Sequence, residues 1–230
     1  MLAGSTTHQD ADPSVSHQFS RRVGQEVTGR SSHPSSETEL ACSTFISRLS
    51  DVTAPEDETT QLQLLTMGHS ERLEQFERDN REFFASRIGD RGDEFFTHFA
   101  EQLAARDEEN ETGRSLFFVL VTGTGQIIGR VNITDIDQPP LTELGFRVAG
   151  ARQGRGVATP GVRAALAVAH DRGVASIMAR AAVDNVGSRW VLERTGFAEI
   201  GPVEAPPAAD GSFMGYRDDL SGREGTPALP

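Results

Sequence analysis

The chain contains no lysine: all 22 of its basic residues are arginine. A Walker A phosphate loop needs its Lys, and so does the kinase strand that pairs with ATP phosphates. Schiff-base and pyridoxal-phosphate enzymes need a lysine nucleophile as well. These chemistries are excluded before any motif is read. Cysteine is almost as scarce. Cys42 stands alone, so no internal disulfide and no thiolate zinc site can form. The six histidines are scattered without an HExxH pair, and no metal site is expected. No apolar run approaches the ~18 residues of a membrane span. Ser20-Arg21-Arg22 faintly resembles a twin-arginine export signal, but no hydrophobic segment follows it. The expectation is a cytoplasmic protein with no membrane partner. Acidic residues number 34, which leaves a net charge of −12. Nucleic acid is therefore not an expected partner, and the surface favours a cationic one.

The pattern that is present alternates between helix and strand. Residues 1–55 are rich in Ser, Thr, Gly and Pro and poor in large apolar side chains, so a disordered tail is expected there. A domain spans 56–220, and 221–230 reads as a flexible C-terminal tail. Gln61–Met67 suits a first strand, Ser70–Ser86 an amphipathic helix, and Glu94 to about Arg106 a second helix. The acidic run Asp107–Glu111 reads as a solvated loop. Leu116–Val121 and Gln126–Ile133 flank Thr122-Gly123-Thr124-Gly125, the spacing of a hairpin. Glycines 123, 125 and 129 only imitate a dinucleotide fingerprint, because strand residues follow where a helix should start. Further on come a strand (Thr142–Val148), a helix (Val162–His170) and a strand (Val174–Val183). A short helix (Asn185–Thr195) and two last strands (Phe197–Gly201, Ser212–Arg217) complete the order. An α/β sheet domain follows from that alternation.

The chemistry is concentrated between Leu141 and Gly201. A strand leads through Ala149-Gly150-Ala151-Arg152 into Gln153-Gly154-Arg155-Gly156-Val157-Ala158-Thr159, and a helix follows. Glycines let backbone N–H groups approach an anion, and the helix N-terminus adds a favourable potential. Arg152 and Arg155 can add charge-assisted hydrogen bonds. The same composition also serves a plain strand-to-helix connection, and the loop alone does not decide between the two.

Gln153-x-x-Gly156-x-Ala158 resembles the acetyl-CoA pyrophosphate loop of the GNAT N-acetyltransferase superfamily. Asp184-Asn185, Ser188, Val191-Leu192-Glu193 and Gly196-Phe197 resemble the D-N-x-x-S-x-x-V-L-E-x-x-G-F element of its Rim-type branch. That branch contains the ribosomal-protein N-terminal acetyltransferases. Thr142-Glu143-Leu144-Gly145-Phe146 and Gly129-Arg130-Val131 are similar to two of its strands. The resemblance implies a mixed, splayed sheet flanked by helices, with acetyl-CoA as co-substrate and no metal. It implies that the backbone of Phe146, Arg147 and Val148 pairs with the pantetheine arm. By the same resemblance, amides of Gln153, Gly154, Arg155, Gly156, Val157, Ala158 and Thr159 hold the pyrophosphate. Asn185 is expected to bond the pantetheine chain, and its other reading is a helix N-cap.

Many superfamily members carry a Tyr seven residues after that Asn; here the position is Leu192, which cannot donate a proton. Ser188 is the candidate assistant for the departing thiolate, or else a helix-surface serine. Glu143 is the candidate base for the amine, or else an exposed strand end. Tyr216 and the phenylalanines of 83–84 and 95–96 read as packing residues, and His98 and His170 as structural or exposed. Asp79, Glu82 and Glu94 are either attractors of a cationic amine or solvated helix residues. Three functions stand open. The first is acetyl transfer to a protein N-terminal α-amine by direct attack in a ternary complex. The second is the same chemistry on a small amine, and the third a non-catalytic CoA-binding domain. Either a monomer or a homodimer fits.

Overall fold

The computed structural model describes residues 47–48, 59–206, 209 and 211–222. Apart from 47–48, the expected tail 1–55 lies outside the described residues, as does 223–230 of the C-terminal one. Eight strands form one sheet: β1 (Ser47–Arg48), β2 (Thr60–Leu64), β3 (Leu116–Thr122), β4 (Ile127–Thr134), β5 (Glu143–Val148), β6 (Ser176–Ala182), β7 (Ala198–Val203) and β8 (Phe213–Asp219). Their order across the sheet is β1-β2-β3-β4-β5-β6-β8-β7.

The apolar run of β3 is buried on both faces, as such a run predicts for a central strand. Alternation divides it between two cores. Leu116, Phe118 and Leu120 join the cluster that contains Val162, Leu166 and Leu192. Phe117, Val119 and Val121 join the opposite one, with Leu73, Phe76 and Leu103. The β3–β4 hairpin forms where its turn residues predict, with Thr122 N–H donating to Gln126 O.

Helices α1 (Ser70–Asp79), α2 (Arg81–Ile88), α3 (Gly92–Thr97) and α4 (Phe99–Thr112) cover one sheet face. The expected single helix over 70–86 is thus two helices. They meet at Asn80, whose Nδ2 bonds Phe76 O and whose Oδ1 accepts from the distant Gly150 N–H. The expected helix over 94–106 is likewise divided, at His98.

The acidic stretch expected as a loop is helical instead. Glutamate is a good helix former, and tertiary bonds hold this turn in place. Asp107 accepts from Met67 N–H, and Ser115 Oγ donates to Glu109. Buried Asn110 donates to Leu65 O and accepts from Phe117 N–H.

On the other face, α5 (Ala158–Asp171) crosses the sheet and α6 (Val186–Arg194) follows β6. A Cβ at Gly161 would stand 2.7 Å from Leu120 Cδ2, so this glycine sets how closely α5 approaches β3. Leu220 opens a short 3-10 turn and is fully buried.

The functional consequence lies between β5 and β6. These strands run parallel and pair only at Glu143–Met178 and Leu144–Ala179, after which they diverge. Every other neighbouring pair in the sheet is antiparallel. The sheet is therefore splayed beyond Leu144, as the resemblance implies.

Candidate functional site

The splay exposes one edge of β5. In an antiparallel ladder, alternate residues turn their N–H and C=O away from the partner strand. Ala149 N–H donates to Ile128 O, and the register pairs Arg147 with Arg130 and Gly145 with Asn132. Phe146 and Val148 are then the residues whose peptide groups face the opening. Val148 O accepts from Gln153 Nε2 at 3.1 Å, which leaves Phe146 N–H, Phe146 O and Val148 N–H for an extended ligand.

A cleft of about 450 Å³ follows this edge. Phe146, Arg147 and Val148 form one wall, and Gln153, Gly154, Gly156 and Val157–Thr159 close one end. The N-terminus of α5 has no side-chain cap and no acidic residue in its first turn. Gly154 and Gly156 adopt φ of 71° and 74°, values that favour glycine, and a Cβ at either would meet nothing within 4 Å. None of the backbone bonds of this loop uses the amides of Gly154, Gly156 or Val157. An uncapped helix end with free amides is suited to an anionic group. Arg152 lines the cleft, whereas Arg155 is exposed outside it.

The opposite wall belongs to α6. Asn185 is its N-cap, with Oδ1 accepting from Ser188 N–H at 3.1 Å. That leaves Nδ2 for a ligand, so the capping and binding roles are compatible. Ser188 stands at the junction of this cleft and a second pocket of about 180 Å³. The second pocket also contains Glu143, Arg180, Asn132 and Arg130, and shares Phe146 and Arg147 with the first.

Glu143 is half-buried. Arg180 Nε and Nη2 each donate to one of its oxygens at 2.8 Å, which raises the Arg180 pKa through that hydrogen bonding. Leu192 is buried in the core and has no access to the cleft. Tyr216 is fully buried, with its hydroxyl accepting from Arg189 Nε and donating to Glu199. Its packing role is as expected.

Several lining residues carry no motif. Phe83, Arg87 and Trp190 border the cleft, and Trp190, the only tryptophan, is 50% exposed. Behind the second pocket, Glu77 of α1 is 2% exposed and receives Arg130 at 2.6 Å and Arg147 at 3.1 Å, with Arg91 at 3.8 Å. Burial alone would raise the Glu77 pKa, but Arg147, Arg130 and Arg91 outweigh it and hold the carboxyl below its ordinary value. Asp79, Glu82 and Glu94 line neither pocket. His98 is exposed beside Glu101, and His170 lies at the surface beside Asp171. Among the described residues no group of His, Cys, Asp or Glu could hold a metal, and no helix is long and apolar enough to cross a membrane.

Comparison with known proteins agrees with this geometry. A family model described as an acetyltransferase (GNAT) domain matches residues 62–198, more than half of the chain. No curated protein sequence matches significantly. The fold is similar to a ribosomal-protein-S5-alanine acetyltransferase from Vibrio fischeri, at TM-score 0.66 and 21% identity over 75% of this chain and 98% of that one. It is also similar to RimJ of Mycobacterium smegmatis in complex with CoA-disulfide, at TM-score 0.63 and 21% identity over 71% of this chain and 83% of that one. A chimera of the Vibrio cholerae spermidine N-acetyltransferase SpeG with hSSAT aligns at TM-score 0.58 and 18% identity, over 70% of this chain and 96% of that one. The chain belongs to the GNAT acetyltransferase family, whose co-substrate is acetyl-CoA.

Proposed function

We propose that the protein transfers an acetyl group from acetyl-CoA to a primary amine by direct attack in a ternary complex, and that the acceptor is a protein N-terminal α-amine. One observation carries the reading. The large cleft and the smaller pocket meet at Phe146, Arg147 and Ser188, so two substrates entering from opposite sides can touch at one point. The choice of a protein N-terminus draws on the solved neighbours that acetylate ribosomal proteins.

The free amides of the 153–159 loop and of the α5 N-terminus take the pyrophosphate, and the exposed edge of β5 takes the pantetheine arm. Asn185 Nδ2 holds that arm from the other side. In the transfer, the amine nitrogen forms a bond to the acetyl carbon, the carbon–sulfur bond breaks, and CoA leaves as a thiolate that takes its proton from solvent. The amine gives up one proton, and Glu143 receives it. Bidentate pairing with Arg180 orients this carboxylate and still leaves lone-pair sites for an N–H donor. Ser188 is the donor to the departing sulfur.

Trp190 supplies a direct readout, because a cleft ligand changes the environment of the only indole. Titration with acetyl-CoA is expected to shift its fluorescence, and Gly156→Asp should raise the Kd at least about tenfold by placing a carboxylate against the pyrophosphate. In a thiol-release assay on N-terminal peptides, Glu143→Gln should lower kcat about a hundredfold, as loss of a general base does. Ser188→Ala should cost about tenfold, the scale of one hydrogen bond to a charged group. Binding unchanged by Gly156→Asp would remove the loop from the site. Wild-type rates in both catalytic variants, with chemistry limiting, would remove their roles.

A further inference from the structure

We infer that the acceptor pocket selects an amine with a carboxylate close by, and that it rejects polycations. The inference rests on reading the 180 Å³ pocket as the acceptor side, and it adds the charge of the acceptor to that reading.

Three arginines line this pocket, Arg130, Arg147 and Arg180, against a single lining acidic residue, Glu143, although Arg130 itself is only 2% exposed. Arg180 and Glu143 satisfy each other. Arg130 and Arg147 are cross-strand neighbours on β4 and β5, and both lean on Glu77. Arg91 reaches the same carboxylate, so one buried anion faces three cations. Burial and then Arg91 push the Arg147 pKa down to about 9, which still leaves the group charged at neutral pH. A cation excess of this kind stands out in a chain of net charge −12.

The hydrogen bonding is incomplete in the same place. Arg130 Nε and Asn132 Oδ1 are buried without a partner, although such atoms are normally satisfied. Arg147 gives Glu77 only its Nη1 and otherwise lies over the Phe84 ring, 4.9 Å from its centroid. Arg180 gives Glu143 its Nε and Nη2, so its Nη1 remains. A carboxylate in the pocket would accept charge-assisted bonds from the more accessible Arg147 and Arg180 and balance the charge of the cluster. The amine beside it has Glu143 as its acceptor. A polyamine would instead bring second and third positive charges against the arginines, and like charges across an interface are strongly unfavourable.

The carboxylate could belong to an acidic residue near a protein N-terminus or to a free amino acid, and the two sources can be separated. Full-length protein with saturating acetyl-CoA would be assayed by thiol release, with the product confirmed by mass. The acceptors are peptides starting Ala-Glu-Asp, Ala-Gln-Asn or Ala-Arg-Arg, together with free glutamate and spermidine. The acidic peptide is expected to exceed its amide counterpart at least tenfold in kcat/KM, with the basic peptide and spermidine lowest. A rate on free glutamate above that on the acidic peptide assigns the pocket to an amino acid.

Arg147→Gln should reduce the acidic-to-amide ratio below about threefold. Arg180→Gln, at a half-exposed pair, provides the same test if the first variant does not fold. Equal rates across peptide charge, a preference for spermidine, or an unchanged ratio in both variants would overturn the inference alone. No turnover on any acceptor, with acetyl-CoA bound, would overturn the acetyl-transfer reading as well.

Discussion

At the scale of single residues, Gly145 separates what stabilises the strand from what the site requires. It lies in the middle of β5, opposite Asn132, and lines the pocket proposed for the acceptor. Its φ is not in the left-handed region, and a Cβ there would meet nothing within 4 Å. Glycine inside a strand loses more chain entropy on folding than any other residue. Gly145→Ala is therefore expected to stabilise the fold by about 0.5–1 kcal/mol, read as a raised Tm. Gly145→Leu should fill part of the pocket and lower kcat/KM for the acceptor more than tenfold, while the acetyl-CoA Kd stays within about twofold. A leucine variant with unimpaired acceptor kinetics would show that the acceptor does not enter beside β5. Leu192 belongs to the same scale. Its side chain has no proton to donate and is buried, whereas Ser188, one turn earlier, lines the cleft.

At the scale of elements, Glu77 fastens α1 to β4 and β5 through Arg130 and Arg147. Its carboxyl titrates below the ordinary value of 4.5 in the folded state. The unfolded chain therefore binds this proton first as pH falls. The pair's stabilisation is complete above 4.5 and is lost as pH drops through the lower folded value. Glu77→Gln removes the carboxylate that faces Arg130, Arg147 and Arg91 and should cost about 3–5 kcal/mol at pH 7 in denaturant unfolding. The variant should also show a flatter acid limb than the wild type between pH 5 and 3. An equal acid limb would mean that other carboxylates govern acid unfolding.

Contacts of this kind also mark the limit of what the sequence reveals. The hairpin, the glycine-rich loop, the start of α6 and the order of the later strands were legible, because turn residues, periodicity and motif spacing act within a few residues. The break at Asn80 was not, since its side-chain oxygen is held by the Gly150 amide, 70 residues away. The helical course of 107–111 was missed for a similar reason, as Asp107, Glu109 and Asn110 bond Met67, Ser115, Leu65 and Phe117, all outside the stretch. The smaller pocket was legible only at Glu143 and Ser188. Arg130, Asn132 and Arg180 meet there through sheet register, which composition does not encode.

At the scale of the whole molecule, the sheet consists of two antiparallel parts joined by two residue pairs. Strands β1–β5 form one part and β6, β8 and β7 the other, with Glu143–Met178 and Leu144–Ala179 between them. The Glu143–Arg180 pair spans the same seam, and α5 packs across it in the shared core. Acetyl-CoA held along the free edge of β5 would bridge the parts where the strands have separated. A ligand that binds only the folded state stabilises it by about 2.7 kcal/mol at a hundred times its Kd. For a domain of this size that corresponds to a rise in Tm of roughly 5–10 °C. Because one core runs through both parts, thermal unfolding should remain a single transition with and without acetyl-CoA. Hydrogen exchange would locate the effect. The Phe146 and Val148 amides and those of Gly154, Gly156 and Val157 should gain protection, while the interior of β3, already bonded on both sides, should change only with global stability. A rise in Tm without protection at Phe146 and Val148 would place the ligand elsewhere than along the edge of β5. Two resolved transitions that merge on adding acetyl-CoA would instead show that the seam, and not the shared core, is the weak point of the fold.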